Sequence, residues 1–231
     1  IAARMARVTG TNIGQRSACH RGARPVVLPG MIRSMSVGPI GENVYIVENP
    51  GTPLFVVDPG AEPERLAAEV LAAVERSGAD RVAVALTHGH LDHVAAMPGL
   101  VAALAAAGIP VRTYAPEADR DYFGARARET NERVFSGIGA MGFLRKQWVP
   151  IPEADEYYGD GFAFPGLDAV AIHTPGHTRG SSCFLVEGGS SLLAGDTLFR
   201  DGRGRTDNFD SDEAAIVHSI RERLCLLHDA V

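Results

Sequence analysis

Apolar residues along this chain fall in short runs that switch between two spacings. Val44 to Val47 and Leu54 to Val57 are β-branched stretches on either side of Asn49-Pro50-Gly51, which predicts a hairpin. Asp58-Pro59-Gly60 ends the second strand. From Pro63 to Arg76 the apolar positions Leu66, Val70, Leu71 and Val74 take helical spacing, and Gly78 stops it. Val82 to Leu86 reads as a buried strand, Pro98 to Ala107 as a helix with proline in its first turn, and Val111 to Tyr114 as a strand. Residues 115–150 are less regular, with a helix over Pro116 to Val134 and then Gly137, Gly139 and Gly142. Three more strands follow at Ala169 to His173, Ser182 to Val186 and Ser191 to Ala194. A helix from Asp212 to Leu226 is expected to take Ser211 as its N-cap, and Leu224 to Val231 reads as its end entering a strand. Strands outnumber helices but both recur, so the pattern predicts sheets covered by helices, an α/β layered fold.

Length and composition narrow this to an ordinary globular chain. The 231 residues, 45% hydrophobic and 22% charged, suit one domain. No run approaches the roughly 20 apolar residues of a membrane helix, so no membrane partner is expected. The net charge of −6 argues against a nucleic-acid partner. Cys19, Cys183 and Cys225 are odd in number and scattered, which points to reduced thiols and a cytoplasmic setting. Residues 1–30 hold five arginines and no acid, and are expected to be a disordered or non-domain extension. Removing those arginines leaves −11 over residues 31–231, the expected domain, which reads as truncated at its C-terminus.

The chemistry is concentrated in Thr87-His88-Gly89-His90-Leu91-Asp92-His93. Four potential ligands follow an apolar strand within six residues. In extended chain His88 and His90 share a face, while Asp92 and His93 enter a helical turn and point to a neighbouring position. One loop can thus serve two adjacent ions, and imidazole with carboxylate suits Zn²⁺, Fe²⁺ or Mn²⁺. His173-Thr-Pro-Gly-His177-Thr and Ala194-Gly-Asp196-Thr repeat the design, each with a ligand type after an apolar strand and beside glycine.

Together these segments, with Asp58 in Val-Asp-Pro-Gly, resemble the metallo-β-lactamase superfamily over roughly residues 35–231. The resemblance implies a four-layer αββα sandwich with metal at one edge. It assigns His88, His90 and His177 to a first ion, Asp92 and His93 to a second, and Asp196 to bridging both. Asp58 would orient a ligand histidine by hydrogen bonding. The family's further histidine, in a Pro-Gly-His-like segment after a last strand, is not within the sequence, and His228 reads as a surface residue. Asp196 stands where zinc β-lactamases carry cysteine, which points away from antibiotic hydrolysis.

Leu198-Phe-Arg200, Gly204-Arg-Thr-Asp207 and Gly38-Pro-Ile-Gly-Glu-Asn-Val-Tyr45 resemble the short bacterial glyoxalase II-like thioesterases. The expected cofactors are two divalent ions of the zinc kind, with iron or manganese as alternatives. They would hold a bridging water and bring its pKa towards neutral. The hydroxide would attack a thioester carbonyl, and Asp92 and Asp196 would carry the catalytic carboxylates. A thiolate of pKa about 8.5 leaves without a strong acid. The expected partner is a small-molecule thioester such as an acylglutathione, with Arg205 a candidate substrate contact and residues 115–160 a candidate cover. Gly-Arg-Thr-Asp is shared with persulfide dioxygenases, which use one iron, so that reaction and a lactonase or other ester hydrolase remain alternatives.

Overall fold

Neighbouring residues of the central strands are buried on opposite faces, and this creates two cores. The structure, a computed structural model, describes residues 30–227. The expectations for the segment before Gly30 and for His228 lie outside the described residues.

Six strands form the first sheet in chain order: β1 (Met31–Val37), β2 (Glu42–Glu48), β3 (Leu54–Val57), β4 (Val82–Ala85), β5 (Val111–Pro116) and β6 (Glu156–Tyr158). The first three pair antiparallel and β3 to β6 run parallel. The parallel connections are made by α1 (Pro63–Ser77), by α2 (Leu91–Val94) with α3 (Met97–Ala106), and by α4 (Ala127–Gly137) with α5 (Met141–Gln147). Leu54, Val56, Val82 and Val84 share one core with Leu66 and Val70 of α1 and with Leu100 and Leu104 of α3. Phe55, Val57, Ala83 and Ala85 enter the other core. Burial on both faces explains why these strands read as continuous apolar runs.

The second core joins the first sheet to a three-stranded antiparallel sheet of β7 (Ala169–His173), β8 (Ser182–Val186) and β9 (Ser191–Leu193). Phe55, Tyr158, Phe164 and Phe184 pack there with ring centroids 5.0–5.8 Å apart. A short ribbon, β10 (Leu198–Phe199) with β11 (Gly202–Arg203), precedes α6 (Glu213–Ser219). Ile216 of α6 packs so closely on the loop after β7 that a side chain on Gly176 would meet its backbone nitrogen at 2.3 Å. The fold is therefore the expected α/β sandwich. Among the described residues no helix is long and apolar enough to cross a membrane.

Four local readings change. The helix expected over Pro116 to Val134 is broken. Two 3₁₀ turns, Glu117–Tyr122 and Gly124–Arg126, precede α4, because Phe123 is extended and Gly124 takes φ 61°. The N-cap of α6 is Asp212, whose carboxylate accepts the Ala215 N–H at 2.9 Å. Ser211 instead donates to the His177 carbonyl at 3.0 Å. The last helix passes into one π-helical turn at Ile220–Leu224. The edge strand β1, largely exposed, escapes the apolar pattern altogether.

Candidate metal centre

Strand direction assembles the site. β3 and β4 are parallel, so Asp58 and the Leu86–His93 segment leave the first sheet at one edge. β7 and β9 both run antiparallel to β8, so His177 and Asp196 leave the second sheet together. The loops meet so closely that a side chain on Gly195 would strike the Thr87 hydroxyl at 2.4 Å. Only glycine allows that approach.

Three imidazoles converge first. His88 Nε2 lies 3.2 Å from His90 Nδ1, and His177 Nε2 lies 2.9 Å from the same atom. All three rings are buried. Ligands about 2.0–2.1 Å from a tetrahedral ion stand about 3.3 Å apart, so the spacing is that of a shared cation. The far nitrogens are held from behind. His88 Nδ1 is 3.1 Å from the Thr87 hydroxyl, which itself donates to Asp58 Oδ2 at 2.6 Å. His177 Nδ1 donates to the Arg205 carbonyl at 2.9 Å. His90 Nε2 lies 3.4 Å from Asn208 Nδ2, while Asn208 Oδ1 has no partner. The contacts behind His88 and His177 fix which nitrogen faces the ion.

A second group adjoins the first. His93, fully buried, donates Nδ1–H to Asp58 Oδ2 at 3.0 Å. Its Nε2 then faces Glu42 Oε2 at 3.1 Å, Asp196 Oδ1 at 3.3 Å and Asp92 Oδ2 at 3.7 Å. None of these oxygens takes a hydrogen bond from it. Unprotonated, that nitrogen would repel the three carboxylates around it, and either a proton or a metal ion between them relieves the repulsion. That orphaned atom fits a second ion. Asp196 reaches both groups, with Oδ1 towards His93 and Oδ2 3.4 Å from His177 Nε2. Every residue assigned to metal from the sequence thus arrives at one place.

The charges are coupled accordingly. Burial keeps His88 and His90 well below the usual histidine range, with repulsion from their neighbours adding to it, so both present lone pairs near neutral pH. Burial opposes charge on His93, yet in the metal-free fold Asp58, Asp196 and Glu42 hold it well above that range. Burial would raise Asp196, but His93, His177 and His90 draw it to about 2. Burial raises Asp92 and Glu42. The site is built to hold positive charge.

Sequence reasoning overlooked three contributors. Glu42 opens β2 and gave no spacing signal. Asp119 is buried between the two histidine loops; it accepts Gly89 N–H at 2.9 Å, Thr178 O–H at 2.7 Å and Gly180 N–H at 2.6 Å. Tyr122 lies edge-on to His90 at 5.5 Å and donates to Asp210 at 2.8 Å. The first two lie in segments whose function only tertiary packing reveals. Arg205 is half-exposed, and its guanidinium is taken up by both oxygens of Asp207 at 2.6 and 2.7 Å.

A cavity of about 280 Å³ opens over the cluster. His90, Asp92, His177 and Asp196 form its floor, and Ile40, Val134, Phe135, Ile138 and Phe143 form an apolar wall. α4, α5 and the loop between them supply most of that wall, so the irregular segment does cover the site.

The metallo-beta-lactamase superfamily model matches residues 37–226. Hydroxyacylglutathione hydrolase GloC of Haemophilus influenzae is 32% identical over 176 residues, 76% of each chain. Among solved structures, BLEG-1 B3 metallo-beta-lactamase is 26% identical with a TM-score of 0.67, covering 86% of this chain and 87% of that one. TTHA1623 in a di-iron-bound form is 29% identical with a TM-score of 0.63, covering 84% and 86%.

Proposed function

Because this chain belongs to the metallo-beta-lactamase superfamily, we propose that it is a metal-dependent hydrolase of a thioester, an acylglutathione or related thiol conjugate. The fold binds divalent ions, and the two donor groups sharing Asp196 support a pair of them, of the zinc kind or iron. When bound, such ions polarise a carbonyl and make hydroxide available near neutral pH.

The protein's own groups prepare that chemistry. His88 and His90 are kept neutral by burial, and His88 and His177 are fixed in orientation by Thr87 and the Arg205 carbonyl. Asp196, ionised down to about pH 2, is placed to accept a hydrogen bond from a water between the two groups and so to aim its lone pair. The apolar wall would remove solvent from the acyl group. The carrying observation is what the cavity lacks. Among the described residues that line it, the groups besides the cluster that could donate a proton are the Arg205 guanidinium, which stays charged, and the Asn208 amide. A leaving group that departs as a stable anion suits such a site, and a thiolate does so. The likeness to a protein named hydroxyacylglutathione hydrolase supports the same reading.

The test is release of free thiol from S-lactoylglutathione by the metal-loaded chain, with nitrocefin and glutathione persulfide alongside. Thiol release with two ions per chain is expected. One iron per chain with oxygen uptake on the persulfide would replace the thioesterase by the dioxygenase, and turnover of nitrocefin alone by a lactamase.

A further inference from the structure

We propose that a second cavity, between α4 and the loop joining β7 to β8, binds the head of an α-amino acid, with its ammonium and carboxylate on one carbon. This rests on and deepens the thioesterase reading, since the thiol portion of an acylglutathione carries such a head at its γ-glutamyl end. The cavity holds about 210 Å³. It neighbours the cavity over the metal cluster. Asn208 lines that one, while Phe209 and Asp210, next in the chain, line this one. α4 contributes to both, with Val134 and Phe135 on the cluster side and Glu129, Thr130 and Arg133 on the other.

The lining carries unspent charge of both signs. Among the described residues the guanidinium groups of Arg133 and Arg179 enter no ion pair and donate no hydrogen bond. Arg133 lies over the Phe209 ring, 3.9 Å from its centroid. Arg179 stands between Thr178 and Gly180, whose hydroxyl and N–H are both held by buried Asp119. Ring stacking thus fixes one cation, and a braced backbone fixes the base of the other, which lowers the cost of ordering them on a ligand. Of the acids, Asp121 pairs with Arg126 at 2.9 Å, and Asp119 has its three donors. Glu129 has no partner among the described residues. Asp210 accepts the Tyr122 hydroxyl on one oxygen and leaves the other without a partner. Two free cations therefore face two acids with capacity to spare. That balance favours a ligand that is neutral overall and carries both charges, its carboxylate towards the guanidinium groups and its ammonium towards the acids. A simple anion such as phosphate would meet the repulsion of both acids. The volume is that of about seven waters at roughly 30 Å³ each, which suits the head and its first methylenes and not a whole tripeptide.

The experiment compares the metal-loaded full chain with Arg133→Gln and Arg179→Gln, and with Arg145→Gln, an exposed position outside the cavity that makes the same change of charge. Calorimetry with S-methylglutathione and with L-glutamate reads binding whether or not the chain hydrolyses thioesters. Each cavity variant should weaken S-methylglutathione by about tenfold or more, the value of one charged hydrogen bond, and Arg145→Gln should not. KM for S-lactoylglutathione should rise by the same factor with kcat unchanged. KM for S-lactoyl-N-acetylcysteamine, which has no amino-acid head, should stay constant in all variants. Binding of L-glutamate alone, dependent on both arginines, would support the site and assign it to a free amino acid acting as effector. Absence of binding by either compound, or binding that the two cavity variants leave unchanged or that Arg145→Gln weakens equally, would overturn the site. Arginine-dependent binding without thioester turnover would overturn the hydrolase reading and leave the site standing.

Discussion

Asp58 Oδ2 accepts the Nδ1 proton of His93 at 3.0 Å. The same carboxylate takes the Thr87 N–H at 2.7 Å and the Thr87 hydroxyl at 2.6 Å. One buried acid at the end of β3 therefore orients a donor of each proposed ion site, His93 directly and His88 through Thr87. It does so from a left-handed backbone, φ 54°, which aspartate tolerates better than most residues. Asp58→Ala should weaken ion binding at both positions by about 10–100-fold. It should also cost roughly 3 kcal/mol of stability, because buried donors lose their acceptor. Chelator competition and urea unfolding measure the two effects; wild-type values in both would contradict the bracing role.

Asp119 ties the other pair of loops. It joins Gly89, between His88 and His90, to Thr178 and Gly180, just beyond His177. Asp119→Ala should destabilise the fold by about 3 kcal/mol or more, since two backbone donors and a hydroxyl are stranded. Asp119→Asn should cost less but still weaken ion binding, because its amide presents a donor where the carboxylate accepts. Equal stability of all three proteins in urea would argue against this brace.

Metal binding and protonation compete at His93. Its pKa in the metal-free fold lies well above the ordinary histidine value of 6.5, with burial overcome by Asp58, Asp196 and Glu42. A raised pKa contributes stability that is complete below the unfolded value and is lost as pH rises through the folded one. The melting temperature of the metal-free protein should fall as pH is taken upward from about 6.5. Affinity for the second ion should rise over the same interval, since the ion must displace a proton. Calorimetric titration in buffers of different ionisation enthalpy should register proton release. An affinity independent of pH across this window would count against His93 Nε2 as a donor.

Asp196 spans the two groups, one oxygen towards each, which no other side chain in the cluster does. Asp196→Ala should lower kcat for thioester hydrolysis by at least about 10³-fold, or roughly 4 kcal/mol of barrier. Thiol release at saturating metal measures it, and retained turnover would refute the shared role.

Much of this site was legible because its donors lie in the loops that directly follow apolar strands. His88, His90, Asp92 and His93 are adjacent in sequence, and His177 and Asp196 each follow a recognisable strand. Glu42 and Asp119 were not legible, for a physical reason. Each acts across the fold on residues some 30–60 positions away, and no local spacing encodes such a contact. The broken helix shows the same limit. Glu117 to Val134 has helical propensity, but Tyr122 and Phe123 are both buried and the chain turns at Gly124 to put them there. Tertiary burial overrode local preference. β1 and β6 were hidden by length and exposure, since edge strands need no apolar alternation.

The cavity wall makes a separable claim about substrate. Phe135 and Phe143 stack with centroids 5.5 Å apart and 13° between planes, facing the floor formed by His90 and Asp196. They line the wall of the cavity and not the donor cluster at its floor, so their contribution is to binding and solvent exclusion. Phe143 is only partly buried, and truncating it should spare the fold more than truncating Phe135, which packs in the helix-side core. Phe143→Ala should therefore raise KM for a thioester with an apolar acyl group by about tenfold, the value of roughly 1.4 kcal/mol of lost contact. If the wall binds ground and transition states alike, kcat should stay within a factor of about two. Metal content should not change. A fall in kcat with KM constant would show instead that this ring acts on the reacting carbonyl, and would move the acyl group away from the wall.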